Sequence, residues 1–320
     1  MRIRALAPLL GVALLLAGCG ADAAIPEMTT VALVNPTPPE LTPITTPPQA
    51  EGECDAETSL RPGPLPPPGV MPAGTPMAAI VANGRVRIGV DQNTYLFGFR
   101  NPTTGELEGF DIDIAREIAY SLFGDRAKVE LRSVTAAERA TALRDGQVDL
   151  IARTYSATCQ RRRDVDFSGV YYRAAQRIAA PAKSGIRSSV DLAGKRVCVA
   201  TGTTAAGPLF TLPVRMTVLG VTNWTDCLAA IQQGHVDAIS ADEPILHGLV
   251  AQDRHLTVLA ESIGSGAYAI GVAKDKPELV RFVNGVIERI RVDGSWERIY
   301  AAHLSQLGPS QGPPATRYSE

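Results

Sequence analysis

Past residue 84 the apolar positions of the chain switch between two periods. Val86-Arg87-Ile88-Gly89-Val90 is a short β-type run, whereas Phe110 to Phe123 sets Ile114, Ile118 and Leu122 on one stripe, four residues apart, as a helix requires. Lys128 to Leu131 is strand-like again. Thr135-Ala136-Ala137-Glu138 then has the form of a capping box opening a helix that stops at Gly146, and Val148 to Ala152 reads as a buried strand. This βαβαβ order predicts a mostly parallel sheet with helices on its faces.

The same grammar returns later in the chain. Arg196 to Ala200 reads as strand, Thr222 to Gln233 as helix and Val236 to Ile239 as strand. Ala142-Leu143-Arg144-Asp145-Gly146-Gln147-Val148-Asp149-Leu150-Ile151 matches Ala230-Ile231-Gln232-Gln233-Gly234-His235-Val236-Asp237-Ala238-Ile239 in its helix end, its glycine and its Val-Asp-x-Ile strand. Two similar α/β lobes account for the repeat, with closing helices over Glu278 to Ile290 and Ser295 to Leu304. Such lobes turn strand ends and helix starts toward a shared cleft, where open α/β sheets bind ligands.

Composition changes the picture only at the N-terminal end. Of 320 residues, 31 are basic and 33 acidic, so no field is present to hold a nucleic acid. Fourteen of the 24 prolines fall between Pro26 and Pro76, too few packable side chains to fold alone, which predicts a folded part beginning near residue 84. Met1 to Cys19 has Arg2 and Arg4, a short apolar run and small residues before a cleavage point, the form of a secretory signal. Leu16-Ala17-Gly18-Cys19 resembles the bacterial lipobox, which implies a lipid on Cys19 and a place on the outer face of the cytoplasmic membrane. Thr37-Pro38-Pro39, Thr46-Pro47-Pro48 and Pro66-Pro67-Pro68 fit a semi-rigid spacer.

Apart from Cys19, four cysteines remain in an oxidising compartment, which favours two disulfides over none. Three pairings are open. The one expected is Cys198 with Cys227, on a strand and the following helix, and Cys54 with Cys159. No Cys-x-x-Cys or histidine cluster points to a metal.

Over residues 85 to 306 the chain resembles the extracellular polar amino-acid-binding proteins of ABC importers, of the glutamate and glutamine class. The resemblance rests on Gly105-Glu106-Leu107-Glu108-Gly109-Phe110-Asp111-Ile112-Asp113, on Arg161 to Ser168 with Tyr171-Tyr172, on Asp191 to Val197, on Thr201-Gly202-Thr203-Thr204 and on Asp293-Gly294-Ser295-Trp296. It implies a two-lobed periplasmic-binding-protein-like fold of type II, hinged by two crossing strands near Arg173 to Ala180 and Ile263 to Tyr268. The expected division is signal peptide 1–18, lipid-anchored tether 19–84, lobe 1 from 85–174 and 267–307, lobe 2 from 175–266, and a flexible tail 308–320.

The resemblance also assigns roles. Arg161 would grip the ligand's α-carboxylate, because a guanidinium fork matches two carboxylate oxygens; a solvated Arg161-Arg162-Arg163 run is the alternative. Thr154 and Ser156 would share that carboxylate. Gly202 would let the backbone approach, with Thr203 and Thr204 opening a helix N-terminus behind it that carries about half a positive charge. A phosphate loop is excluded, since Gly-x-x-x-x-Gly-Lys is absent.

Asp242 would meet the ammonium group, or else cap a helix within Asp242-Glu243-Pro244. Asp91 matches a ligand-contacting aspartate, or is a turn residue. Arg139 and Arg153 are candidates for a distal acidic group, and Tyr95, Phe97 or Phe110 for an aromatic platform under the ligand's stem.

No serine, histidine and aspartate order suggests an enzyme. The expected activity is capture of a polar L-amino acid (Glu, Asp, Gln or Asn), without cofactor or metal, by a monomer that presents it to a membrane permease. A transmembrane signalling receptor is the alternative partner. A dehydratase of ring acids on the same fold, using Glu243, is the enzymatic alternative.

Overall fold

The structure, a computed structural model, describes residues 40–47 and 54–320. The proposed signal peptide, Cys19 and much of the proline-rich stretch lie outside these residues. The described chain begins with strands β1 (Thr42–Pro43) and β2 (Thr58–Leu60) and helix α1 (Pro76–Ala82). Then come β3 (Val86–Val90), β4 (Asn93–Thr94), β5 (Gly98–Arg100), β6 (Leu107–Glu108), α2 (Phe110–Phe123), β7 (Val129–Ser133), α3 (Arg139–Arg144) and β8 (Leu150–Ile151). The middle of the chain forms β9 (Val165–Pro181), β10 (Arg196–Ala200), α4 (Gly207–Thr211), β11 (Thr217–Val221), α5 (Trp224–Gln232), β12 (Ala238–Asp242) and α6 (Glu243–Gln252). It ends with β13 (Leu256–Val258), β14 (Gly264–Ala273), α7 (Pro277–Val292), α8 (Ser295–His303) and β15 (Arg317–Ser319).

In the first lobe β3 lies between β7 and β8, parallel to both. In the second, β10 lies between β11 and β12, again parallel. The repeat seen in the sequence has a physical basis in both lobes. Asp149 accepts the backbone amide of Arg87 at 2.8 Å and its Nη2 at 2.7 Å. Asp237 does the same for Arg196, at 2.8 and 2.9 Å. Each aspartate thus fixes the start of its neighbouring strand, and each arginine also reaches the carbonyl of the repeat's glycine, Gly146 or Gly234.

Two long strands join the lobes. β9 and β14 pair antiparallel from Gln176 opposite Gly264 to Val165 opposite Ala273, with irregularities after Tyr268. β9 also pairs with β12 on one side, and β14 with β8 on the other, so one path of strands runs through both lobes. The cores stay separate. One cluster packs α2, α7 and α8 against β3, a small one surrounds β8, and a third fills the second lobe.

The folded part begins well before residue 84, which corrects the expected tether. Thr42 and Pro43 extend the second lobe's sheet by pairing with β11, and Ile44 packs on its core. Met77 and Ile80 of α1 are buried in the first lobe. The 308–320 segment is not a free tail. Its strand β15 pairs parallel with β2, and Thr316 and Tyr318 both donate to Glu288 of α7 at 2.6 Å. These short pieces carry few apolar residues of their own and are ordered by edges supplied from far along the chain. Both disulfides are present, Cys54 to Cys159 and Cys198 to Cys227.

Candidate functional site

The three consecutive arginines form a single 3₁₀ turn, in which successive side chains diverge by about 120°. The solvated-run alternative therefore holds for Arg163 alone, which is exposed. Arg161 turns inward: Nη1 donates to the Ser156 carbonyl at 2.7 Å and Nη2 to the Gly202 carbonyl at 2.9 Å. Gly202 belongs to the second lobe, so this contact crosses between lobes.

Arg139 reaches the same point. It is 2% exposed, and its nitrogens donate to the carbonyls of Ala136, Arg153 and Gly202 at 2.9, 3.1 and 2.8 Å. A solvated helix face is excluded. Burial, with the charges of Arg161 and Arg153 adding to it, lowers its pKa well below the usual guanidinium range. Its guanidinium carbon sits 4.0 Å from the Tyr155 ring centre and that of Arg161 sits 4.9 Å away, so one aromatic ring supports both cations.

Gly202 is the hinge of this contact. Its φ is +73° and an added Cβ would stand 2.6 Å from Ala137 Cα, so no side chain fits between the lobes there. The helix expected directly behind Gly202 is a correction: Thr201 to Ala206 form turns, and α4 starts only at Gly207 and spans five residues. Thr203 donates its hydroxyl to the Ala200 carbonyl at 2.7 Å, and Thr204 accepts from Gln176 Nε2 at 2.9 Å. Both hydroxyls thus tie the turn to its own lobe and to the crossing strand.

The anionic side of the cleft is Asp242, the last residue of β12 and only 7% exposed. Tyr268 Oη donates to its Oδ2 at 2.6 Å. Oδ1 is buried and has no hydrogen-bond partner among the described residues. Gln176 stands opposite Asp242 in the strand register, but its amide is held by Thr204. Asp242 flanks α6 without a side-chain cap bond, so the helix-cap alternative does not describe it. Burial raises its pKa, against the bond from Tyr268, the nearby Gln176 amide and the charges of Arg161 and Arg139.

Ser156 faces Asp242 across Gly266 of β14. A Cβ at Gly266 would lie 3.1 Å from Ser156 Oγ and 3.2 Å from both Asp242 oxygens. The space between the two side chains therefore exists only because residue 266 has none. Thr154 takes the left-handed φ of 38°, and its amide donates to Asp111 Oδ2 at 2.7 Å.

Three other candidates take structural places. Asp91 accepts the amides of Gln92 and Asn93 at 2.7 and 3.1 Å and the Thr94 hydroxyl, which is the turn alternative, and it forms a buried ion pair with Arg153 at 2.9 Å. The charge of Arg153 is thereby balanced, although its Nε has no hydrogen-bond partner among the described residues. Phe110 is wholly buried at the start of α2 among Phe97, Tyr171, Tyr172 and Trp296, a core side chain rather than a platform on the cleft wall. Tyr95 packs edge-on against Phe99 and lines a pocket with Glu108 and His303. Glu243 is paired with Arg177 at 3.3 Å.

Sequence reasoning missed the second layer. Asp111 accepts from Tyr171 Oη at 2.6 Å as well as from Thr154, and burial pushes its pKa up to about 7. Tyr155, Gln176 and Tyr268 likewise support the site residues. Asp111 stood inside a quoted motif, yet nothing in its spacing distinguished a buried carboxylate from a helix-start acid.

The model of bacterial extracellular solute-binding proteins, family 3, matches residues 86–306. The chain belongs to that family. It is 33% identical over 231 residues to the ABC transporter glutamine-binding protein GlnH of Bacillus subtilis, covering 72% of this chain and 85% of that protein. It is 30% identical over 245 residues to the glutamate-binding protein GluB of Corynebacterium efficiens, covering 73% and 83%. Among solved structures, a solute receptor for L-cysteine from Neisseria gonorrhoeae superposes with a TM-score of 0.69 at 29% identity, over 72% of this chain and 94% of that one. The fold is accordingly the two-lobed binding-protein architecture of type II. Family members bearing these names are binding proteins, and among the described residues no helix is long and apolar enough to cross a membrane.

Proposed function

We propose that this protein captures a polar L-amino acid, one of Glu, Asp, Gln or Asn, between its two lobes and presents it to an ABC permease. The single observation that carries the reading is the buried Oδ1 of Asp242, without a hydrogen-bond partner among the described residues, which faces Ser156 across a space kept open by Gly266 while Arg161 and Arg139 supply the opposite charge. A buried carboxylate oxygen without a donor is costly, and an ammonium group satisfies it. A zwitterion presents that ammonium beside a carboxylate, and the Arg161 fork suits the latter. Relatives named for glutamine and glutamate support the polar class. The leader and Cys19 support a lipid-anchored protein on the outer face of the cytoplasmic membrane.

Thermal-shift screening against the twenty amino acids, followed by calorimetry, tests the reading. A polar amino acid is expected to stabilise the protein, and Arg161→Ala to abolish its binding while the fold persists. Unchanged affinity in that variant rejects the site.

A further inference from the structure

The loop that carries Arg161 is gripped from behind by a strap built from both ends of the folded chain. Where Arg161 points into the cleft, its neighbour Arg162 points the opposite way: Nε donates to the Ala56 carbonyl at 2.8 Å and Nη2 to the Thr58 carbonyl at 2.7 Å. Its guanidinium also lies over the Phe167 ring, 5.7 Å from the centre. Three residues before Arg162 the same loop is joined to the strap by the Cys54–Cys159 disulfide. Lys274, just past the end of β14, reaches the Arg162 carbonyl at 3.3 Å.

The strap itself is fixed to the body of the first lobe. Ser59 donates to the Phe167 carbonyl at 2.8 Å, Asn284 of α7 donates to Ser59 Oγ and to the Leu60 carbonyl at 2.8 and 2.6 Å, and β15 closes the outer edge. A planar guanidinium bonding two carbonyls of one short segment fixes position as well as distance. A loop of this length without such fastening would lose orientation, and binding groups work only when held to a fraction of an ångström.

We infer that Arg162 is a positioning residue for the ligand site: it does not touch ligand, but holds the 3₁₀ turn so that Arg161 presents its fork at the right place. The inference rests on the amino-acid-binding reading above and adds a residue and a segment to it. It also gives the N-terminal strap, unexpected from composition, a task in recognition.

The test uses the full chain and L-glutamate, L-aspartate, L-glutamine and L-asparagine as probes. Arg162→Met keeps the stem over Phe167 but removes both carbonyl contacts; it is expected to weaken binding about ten- to a hundredfold, the worth of one charge-assisted hydrogen bond. Arg162→Lys, which retains a charge and one contact, should fall between, and it carries the test if the methionine variant does not fold. In an Arg161→Lys background, Arg162→Met should cost much less, because the group it positions has already been changed.

Hydrogen exchange of the ligand-free variant should rise in residues 158–164 and not elsewhere. Unchanged affinity with only a lower melting temperature, an equal loss in both backgrounds, or unchanged exchange in the loop would each overturn the positioning role. Arg161→Ala with wild-type affinity would instead remove the underlying site, so the two failures are distinct.

Discussion

Replacing Asp242 by asparagine separates recognition from stability. In the ligand-free protein Tyr268 bonds one oxygen of this carboxylate, the other has no hydrogen-bond partner among the described residues, and burial already disfavours its charge. Asparagine keeps an acceptor for Tyr268 and removes the buried charge, so the melting temperature should stay level or rise. In the complex the loss is large. Removing one member of a buried ion pair costs about 3 to 5 kcal/mol. At 1.4 kcal/mol per decade that is about two to four orders of magnitude in Kd. The assay is calorimetry with L-glutamate and with glutarate, which lacks the ammonium group. Glutamate should lose that full span, and glutarate little or nothing. The proton linkage points the same way: the free carboxyl's pKa is raised and ammonium favours its ionised form, so wild-type affinity for glutamate should rise with pH through that pKa. The asparagine variant should lack this rise. Equal losses for both ligands, or a marked fall in ligand-free melting temperature, would refute the ammonium role.

Two further outcomes follow from the buried charges. Arg139→Met should weaken glutamate and aspartate more than glutamine and asparagine in parallel calorimetric titrations, because the hydrogen bonds of this buried cation go to backbone carbonyls and none to a carboxylate among the described residues; equal losses across the four would assign it a purely structural place. Asp111, raised from 3.8 to about 7, favours folding in its neutral form, so its contribution is complete below about pH 4 and is lost as pH rises through 7. The full swing is on the order of 4 kcal/mol, of which about 2.7 kcal/mol falls between pH 5 and pH 8, and urea unfolding at those two pH values should show that part in the wild type and not in Asp111→Asn.

The sequence carried the fold wherever a pattern was local. Strands β3, β8, β10 and β12 and the helices between them each had a period, a cap or a glycine stop within a dozen residues. The repeated aspartates Asp149 and Asp237 were visible as a motif, though not as strand-fixing partners of Arg87 and Arg196. What escaped was non-local. β2 and β15 are three residues each, and Thr58 meets Arg317 only because the first lobe folds between them. Proline content described that stretch as unable to fold alone, which is compatible with folding onto a body that already exists. At the candidate site, the family resemblance singled out Arg161 and Asp242, whereas only geometry separates Arg139, aimed at Gly202, from Arg153, paired with Asp91.

The placement of these charges also bears on how the clamp moves. The apolar clusters lie within the lobes, and among the described contacts between lobes are polar ones: Arg139 and Arg161 to the Gly202 carbonyl, and Asn93 to Asn223 at 3.3 Å. Opening the lobes therefore exposes little core and exchanges these hydrogen bonds for water, at a net cost of about 0.5 to 1.5 kcal/mol for an ordinary bond and more for a charged one. A ligand that bonds the cationic side and Asp242 together adds contacts available only when the lobes meet. Closure is then favoured by the difference in ligand affinity between the two arrangements, the condition a population shift requires. The crossing strands β9 and β14 fit that role, since they pair with each other along the path that joins both sheets and can flex without breaking either core.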